Sequence, residues 1–204
     1  MRELLVATQN KKKLEEIKDL LKDLDLKITS ILDYPGLPAI EEDGESFSAN
    51  SIKKAATIAL YTKKLTLGED SGLEVRALGN QPGIYSARFS GAGATDQKNN
   101  RKLLRMLKGV PWKKRQARYR CFAALVDGKR IIDVVGGSCR GWITFRSKGK
   151  NGFGYDPLFF IPQFQKTFGV LSPEIKAGIS HRSRALKKIK AILKIMQIKA
   201  KTSF

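Results

Sequence analysis

The sequence has little of the residue types on which several common functional sites depend. It contains one histidine, His181, and two cysteines, Cys121 and Cys139, without C-x-x-C or Cys/His spacing. Zinc centres need several such ligands at short spacing, and an isolated imidazole without a nearby nucleophile does not indicate a catalytic triad. We therefore expect buried, reduced thiols and a hydrogen-bonding role for His181 at the start of a helix.

Long apolar runs are also missing. No tract approaches ~20 uninterrupted apolar residues, so the sequence predicts no membrane span and no membrane partner. The first residues include an acid and lead into a lysine run, unlike a secretion signal, and we expect a cytoplasmic protein. An apolar content of 42% with 28% charged residues is typical of soluble globular proteins. Since no repeat or low-complexity linker divides the chain, we predict a single domain over residues 1–204.

Acidic residues are scarce relative to basic ones. The chain has 19 Asp and Glu against 39 Lys and Arg, a formal net charge of +20. This balance can indicate a basic nucleic-acid-binding protein without nucleotide hydrolysis, and it also suits binding of polyanionic small substrates such as nucleoside triphosphates. The basic residues are scattered along the chain and are not interleaved with aromatics, which favours weak, salt-sensitive attraction to nucleic acid over specific binding.

The start of the chain predicts a strand that leads into a helix. Residues 2–7 are rich in Leu and Val, and apolar residues recur at helical spacing from about Lys11 onward. Thr8 and Asn10 lie at the junction, with Lys13 one turn further. A helix N-terminus offers free amides and a positive dipole end to a phosphate, whereas the alternative is an ordinary N-cap beside a solvated lysine run.

The central acidic pair, Glu69 and Asp70, follows apolar residues that read as the end of a strand. We expect the pair in a glycine-flanked turn, where it either holds a divalent cation or forms an exposed acidic turn. Residues 41–45 are acidic and precede a predicted helix over residues 46–61; their acids can share that cation or serve the helix dipole. Asn50 and Lys53 are three residues apart and project from one face of that helix.

The second half of the chain alternates scaffold and candidate binding segments. The pattern predicts a strand at 26–32, a helix at 94–107, and strands at 117–127 and 129–135 joined by an Asp-Gly hairpin turn. The glycines at 136 and 137 are expected to break or bulge the last strand. In the glycine-rich loop at 149–160, aromatic rings either stack on a nucleobase or pack inward.

Several separated segments together resemble one family, the Ham1-like noncanonical purine nucleoside triphosphate pyrophosphatases. They occur in the order of the family and span most of the chain. The matching segments are residues 8–13 (TQNKKK), 41–50 (EEDGESFSAN), 53–55 (KKA), 69–73 (EDSGL), 82–88 (PGIYSAR), 152–157 (GFGYDP) and 179–182 (ISHR).

The resemblance implies an α/β fold: an elongated, twisted, mixed β-sheet with flanking helices, forming two lobes around a central nucleotide cleft, and assembled as a homodimer. It implies hydrolysis of ITP, dITP and XTP to the monophosphate and pyrophosphate with Mg2+. Asp70 would be the general base, and the metal ligands would be Glu42, Glu69 and Asp70. Substrate-binding residues would be Thr8, Asn10, Lys11, Lys12, Lys13, Lys53 and Ser71 for the nucleotide and its phosphates, and Phe153, Gly154, Tyr155, Asp156, Lys176, His181 and Arg182 for the purine.

The chain departs from the family at one visible place. Where relatives resemble Thr-x-Ala-Glu-Leu, residues 167–171 read TFGVL. The missing acid affects local loop and helix-cap contacts and not the residues to which the resemblance assigns chemistry.

Overall fold

A mixed β-sheet organises the computed structural model, which describes residues 2–202 and the side chains of residues 3–198. Its strands, in chain order, are β1 (Arg2–Val6), β2 (Leu26–Ser30), β3 (Leu65–Val75), β4 (Gln116–Asp127), β5 (Arg130–Ile143), β6 (Phe159–Ile161) and β7 (Lys166–Thr167). Their order in the sheet is β2-β1-β3-β4-β5-β6-β7. β1 runs parallel to β2 and β3, whereas β6 runs antiparallel to β5 and β7. The predicted mixed α/β sheet with flanking helices is confirmed.

The helices begin where the sequence carries capping residues. They are α1 (Lys11–Leu21), α2 (Phe47–Thr62), α3 (Asp96–Met106), α4 (Pro173–Ile179) and α5 (His181–Thr202). Asn10, Ser46 and Thr95 cap the first three, and each side chain accepts a backbone N–H three residues on, at 3.1, 3.1 and 3.2 Å. Each cap satisfies an amide that the first helical turn leaves unpaired. No helix within residues 2–202 has the length and apolar character needed to cross a bilayer.

The chain divides into two units, each with its own hydrophobic core. Unit 1 comprises the described residues up to Asp70, Cys121–Gly137, and those from Arg182 onward; its main core cluster contains Leu4, Ile17, Leu67, Cys121 and Ile189. Unit 2 comprises Ser71–Arg120 and Ser138–His181; its core contains Leu73, Leu103, Tyr119, Phe159 and Phe168. Cys121 and Cys139 are both buried, and neither forms a disulfide.

The acidic pair at 69 and 70 does not lie in a turn, and that expectation was wrong. Both residues are inside β3, at 2% and 4% exposure. The reason is the packing of α2 on this strand at Gly68. A Cβ at Gly68 would lie 2.2 Å from the Ser51 carbonyl oxygen and 2.6 Å from the Ala55 amide nitrogen. The glycine therefore allows the helix backbone to approach the strand and cover the acids, instead of opening the chain to solvent.

Two other strand boundaries differ from the sequence prediction. β5 continues through the glycines at 136 and 137, so they do not break the strand, and a Cβ at Gly136 would lie 3.1 Å from the Phe122 ring. β2 ends at Ser30 and not at residue 32. Ser30 caps a short 3-10 helix, Ile31–Asp33, and its amide donates to the Asp33 carboxylate at 2.8 Å. This local capping box ends the strand early.

Candidate active site

The junction of β1 and α1 presents the first predicted phosphate-binding residues. The Thr8 hydroxyl accepts the Asn10 amide at 3.2 Å, and the Asn10 side chain accepts the Lys13 amide at 3.1 Å. Both side chains therefore order the helix start, as the N-cap alternative predicted. The side chains of Lys11 and Lys12 are exposed. Capping leaves the positive end of the helix dipole in place, so the junction keeps an electrostatic preference for anions.

Lys13 connects this junction to the acidic pair. Its ammonium lies 2.8 Å from Glu69 Oε2, and the Glu69 side chain is only 1% exposed. On the other oxygen, Oε1, Glu69 faces Arg182 Nη2 at 3.2 Å and the Cys121 thiol at 3.2 Å. Burial, followed by the charge of Glu69, raises the pKa of Cys121 well above its usual value, so the thiol stays protonated and donates. Two cations and a thiol thus fix a buried, ionised Glu69.

Asp70 is held on both of its carboxylate oxygens. The Asn50 side-chain amide donates to Oδ2 at 3.1 Å, and the Lys54 ammonium lies 3.0 Å from Oδ1. Burial raises the pKa of Asp70, although the charges of Lys54 and Lys13 oppose that shift. A buried carboxylate with a raised pKa, fixed by two donors, has the properties required of a general base.

Lys54 is the lysine of α2 that reaches the acids. It bridges Glu42, at 2.7 Å, and Asp70, and its side chain is 8% exposed. Lys53, one of the predicted substrate-binding residues, pairs instead with Asp43 at 2.5 Å near the surface. A signal for Lys54 was available in the sequence: it is four residues after Asn50, and residues four apart on a helix also share a face.

The acids of unit 1 are the candidate ligands for Mg2+. No group of three His, Cys, Asp or Glu side chains within the described residues is placed to hold a metal ion. Glu42 and Asp70 share the Lys54 ammonium, and Glu69 is paired with Lys13. The donors nevertheless fit Mg2+ in kind, because this cation prefers carboxylate oxygens and is usually held by one or two of them, with phosphates and water completing its shell.

In unit 2, the glycine-rich loop brings together three of the predicted base-pocket residues. Asp156 Oδ2 accepts the Phe153 amide at 2.9 Å and the Lys176 ammonium at 2.7 Å. The same ammonium lies 4.7 Å from the centroid of the Phe153 ring. Asp156 and Lys176 are buried, whereas Phe153 is partly exposed. The buried ion pair fixes the loop beneath a ring that retains an accessible surface.

Tyr155 packs inward, which is one of the two alternatives predicted for the aromatic rings of this loop. Its ring is 3% exposed within the unit 2 core, and its hydroxyl donates to the Ser86 carbonyl at 2.8 Å. The backbone of Gly154 is fixed on both sides, by Asp96 Oδ2 at 2.7 Å and by the Asn100 amide at 3.0 Å. The tyrosine is therefore an anchor for the loop, and Phe153 is its accessible aromatic face.

The remaining predicted residues lie on β3 and at the start of α5. Ser71 is partly exposed in β3. His181 is 4% exposed and stacks on Tyr119, with ring centroids 4.5 Å apart and planes inclined by 6°. Arg182 belongs to unit 1, where it pairs with Glu16 and Glu69. Sequence reasoning did not identify Tyr119, Cys121 or Glu16, because nothing in their local sequence marks these long-range contacts.

Fold and site together define an α/β protein in which buried, lysine-paired carboxylates lie close to a basic helix N-terminus. The model of the Ham1 family matches residues 4–192, and the chain belongs to that family. It is 48% identical over 195 residues to a dITP/XTP pyrophosphatase of Desulforamulus reducens, covering 96% of this chain and 97% of that protein. A dITP/XTP pyrophosphatase of Shouchella clausii is 46% identical, with coverage of 93% and 96%. The solved structure of a HAM1 protein from Coxiella burnetii matches with a TM-score of 0.87 and 38% identity, covering 95% of this chain and 99% of that one.

Proposed function

We propose that this protein hydrolyses noncanonical purine nucleoside triphosphates, ITP, dITP and XTP, to the monophosphate and pyrophosphate. Such a reaction removes deaminated purines from the nucleotide pool. The observation that carries the proposal is the buried Asp70, oriented by Asn50 and Lys54 beside a second carboxylate that Lys13 holds. Family membership and the names of the relatives support the same substrate class.

In the proposed mechanism, Asp70 orients and deprotonates a water molecule that attacks the α-phosphorus, and pyrophosphate leaves. The raised pKa of Asp70 brings its basicity closer to that of a useful base near neutral pH, while Lys54 and Asn50 fix its direction. No covalent intermediate is required. Thr8, Asn10 and the lysines at 11, 12 and 13 serve the triphosphate through amide donors, the helix dipole and positive charge.

Mg2+ is the proposed cofactor, and its candidate ligands are Glu42, Glu69 and Asp70, of which one or two would contact the ion while phosphate oxygens and water complete its shell. When bound, it would neutralise charge on phosphate oxygens. The protein groups around these acids already restrict where they point, because Lys13 and Arg182 contact Glu69, and Lys54 contacts Glu42 and Asp70. These contacts limit the freedom of the carboxylates before substrate arrives, which reduces the ordering cost of the reaction.

Unit 2 carries the groups proposed to recognise the base. Phe153 offers a ring for stacking, and Lys176 and His181 offer donors for the C6 keto oxygen of hypoxanthine or xanthine. Arg182, which the family resemblance also assigns to the purine, pairs with Glu16 and Glu69 within unit 1. Adenine has an amine at C6 and would face these donors with another donor. An unmade buried hydrogen bond costs about 1–3 kcal/mol, so two of them would give roughly a hundredfold discrimination or more. Guanine shares the keto group, so its rejection requires recognition at C2.

The test is a substrate panel with product identification. ITP, XTP, dITP, ATP and GTP are incubated with the protein and Mg2+, and the expected products from the first three are the monophosphate and pyrophosphate. Release of orthophosphate would reject the mechanism. Asp70→Asn should abolish turnover while the circular dichroism spectrum is retained, and Asp19→Asn, an exposed change on α1, should have no effect. Retained activity in Asp70→Asn would place the base elsewhere.

The competing function, nucleic-acid binding without hydrolysis, is not favoured by the relatives. It would be supported by tight RNA or DNA binding that persists at high salt in a protein inactive on every nucleotide of the panel. We also propose a homodimer and a cytoplasmic location, the first from the family resemblance and the second from the substrate pool. Sedimentation analysis and cell fractionation test these two proposals separately.

A further inference from the structure

Tyr119 of β4 lies at the meeting point of the groups assigned to base recognition in unit 2. One face of its ring stacks on the His181 imidazole at 4.5 Å with nearly parallel planes. The Phe159 and Phe168 rings lie 4.6 and 6.2 Å from it, centroid to centroid. With only 6% of its surface exposed, the phenol ring is fixed from several sides. The His181 imidazole that stacks on it therefore has a fixed ring plane and a fixed distance from the phenol ring.

The hydroxyl of the same residue contacts the glycine-rich loop. It accepts the Tyr155 amide at 3.2 Å. Burial, followed by the neighbouring Asp156 carboxylate, raises the pKa of Tyr119 well above the usual value, so the hydroxyl stays protonated and donates to that carboxylate. Asp156 in turn holds Lys176 at 2.7 Å and the Phe153 amide at 2.9 Å. A single side chain therefore touches both the histidine and the loop.

We propose that Tyr119 is a positioning residue for base recognition: its ring sets the plane of His181, and its hydroxyl sets the loop that carries Phe153 and Asp156, through which it also positions Lys176 of α4. This inference rests on the proposed function, since it concerns how that site reads the purine. Tyr119 does not itself touch the base. It acts by keeping the histidine and lysine donors at a constant separation, which discrimination between purines requires because a donor displaced by an ångström no longer makes its hydrogen bond.

Two substitutions separate the two contacts. Tyr119→Phe keeps the ring on His181 and removes the hydroxyl, which leaves the buried Tyr155 amide and the Asp156 carboxylate without that partner. Tyr119→Leu removes the stack as well. The matched control is Tyr61→Phe on α2, the same chemical change on a side chain that is 63% exposed. Circular dichroism and thermal unfolding establish that each variant is folded.

The ring stack has a direct spectroscopic readout, because the chain contains one histidine. The phenol ring current should shift the His181 ring-proton resonances upfield. That shift should persist in Tyr119→Phe and Tyr61→Phe and disappear in Tyr119→Leu. Titration with inosine monophosphate should perturb the same resonances in the native protein and require a higher concentration, roughly tenfold, in Tyr119→Phe.

Kinetics with ITP and ATP decide the role, because these two substrates differ at C6. In Tyr119→Phe, kcat/KM for ITP should fall roughly tenfold, mainly through KM, and the preference for ITP over ATP should narrow. An unchanged KM for ITP and an unchanged preference for ITP over ATP would overturn the inference. Equal losses of kcat/KM for ITP and ATP that follow the loss of thermal stability alone would also overturn it. If the native protein hydrolyses no nucleotide, the proposed function fails. The inosine monophosphate titration then decides separately, and a His181 signal that responds equally in native protein and Tyr119→Phe overturns the positioning role.

Discussion

The Lys54 ammonium lies 3.0 Å from Asp70 Oδ1. It also contacts Glu42 at 2.7 Å, so one buried cation serves two carboxylates. Burial alone would lower the pKa of Lys54, but the charges of Asp70 and Glu42 outweigh burial and raise it. The ammonium is therefore charged at neutral pH, and the position of the proposed base depends on it.

Adjacent lysines on α2 should respond very differently to substitution. Lys54→Met should lower kcat/KM for ITP by about a hundredfold or more, because it leaves two acids at the site without their shared cation. Lys53→Met should change it by less than about threefold, since Lys53 forms an exposed pair with Asp43. Steady-state pyrophosphate release measures both. Equal losses in the two variants would contradict the geometry of this helix.

Activity should show an acidic limb set by Asp70. The base works only when it is ionised, and burial raises its pKa above the ordinary value of about 3.9. Activity should therefore be lost as pH falls through a value above 3.9, and kcat/KM measured against pH gives that value. Asn50→Ala removes a donor to the ionised form, so its limb should move to higher pH. If the acidic limb of Asn50→Ala stays in place or moves to lower pH, the limb does not report the ionisation of Asp70.

Glu3 should contribute to stability in a pH-dependent manner. Hydrogen bonds from Lys64 and Tyr34, the first being the larger cause, lower its pKa from 4.5 to about 2. Since the folded state binds this proton less readily, the contribution is present above about pH 4.5 and is lost as pH falls towards 2. Glu3→Gln should cost about 1 kcal/mol of unfolding free energy at pH 7. Urea titrations at pH 7 and pH 3 measure it, with exposed Glu15→Gln as the control; a cost that does not shrink at pH 3 would exclude this linkage.

Gly68→Ala should destabilise the protein and disturb the acidic pair. The new methyl group would meet backbone atoms of α2 at 2.2 and 2.6 Å, and backbone cannot move aside as a side-chain end can. We expect a loss of about 1–3 kcal/mol and a lower kcat. Gly178→Ala in α4 meets nothing within 4 Å and should be neutral or slightly stabilising. Thermal unfolding of the two variants compares them, and similar stabilities would refute the close approach.

Much of this architecture could be predicted because its signals are local. Asn10 and Ser46 cap their helices through contacts within one turn, and the helical periodicity of the residues that follow predicts the same helices. The environment of Asp70 could not be predicted in the same manner. Its burial depends on Gly68 meeting Ser51, a contact between distant parts of the sequence, and the local pattern of glycines and acids looked instead like a turn.

The same difference between local signals and long-range contacts applies to the candidate site. Residue types and their order selected carboxylates and basic groups that the structure places in contact, such as Glu69 with Lys13 and Arg182. Lys53 and Lys54 lie three and four residues after Asn50, and both spacings place a side chain on the same face of the helix. Spacing alone therefore does not tell which lysine reaches the acids. Tyr119 carried no local signal, because its role arises from contacts with His181 and Tyr155, far away in sequence.

The Arg182 guanidinium has a consequence for biosynthesis. It joins Glu16 of α1 to Glu69 of β3, yet the ribosome adds it long after both acids have been made. During translation, Glu69 cannot form its ion pair with Arg182 until the ribosome has added Arg182. The nascent chain therefore lacks this ion pair beside β3 until then. The enzyme therefore acquires its final electrostatic environment only when synthesis has reached α5.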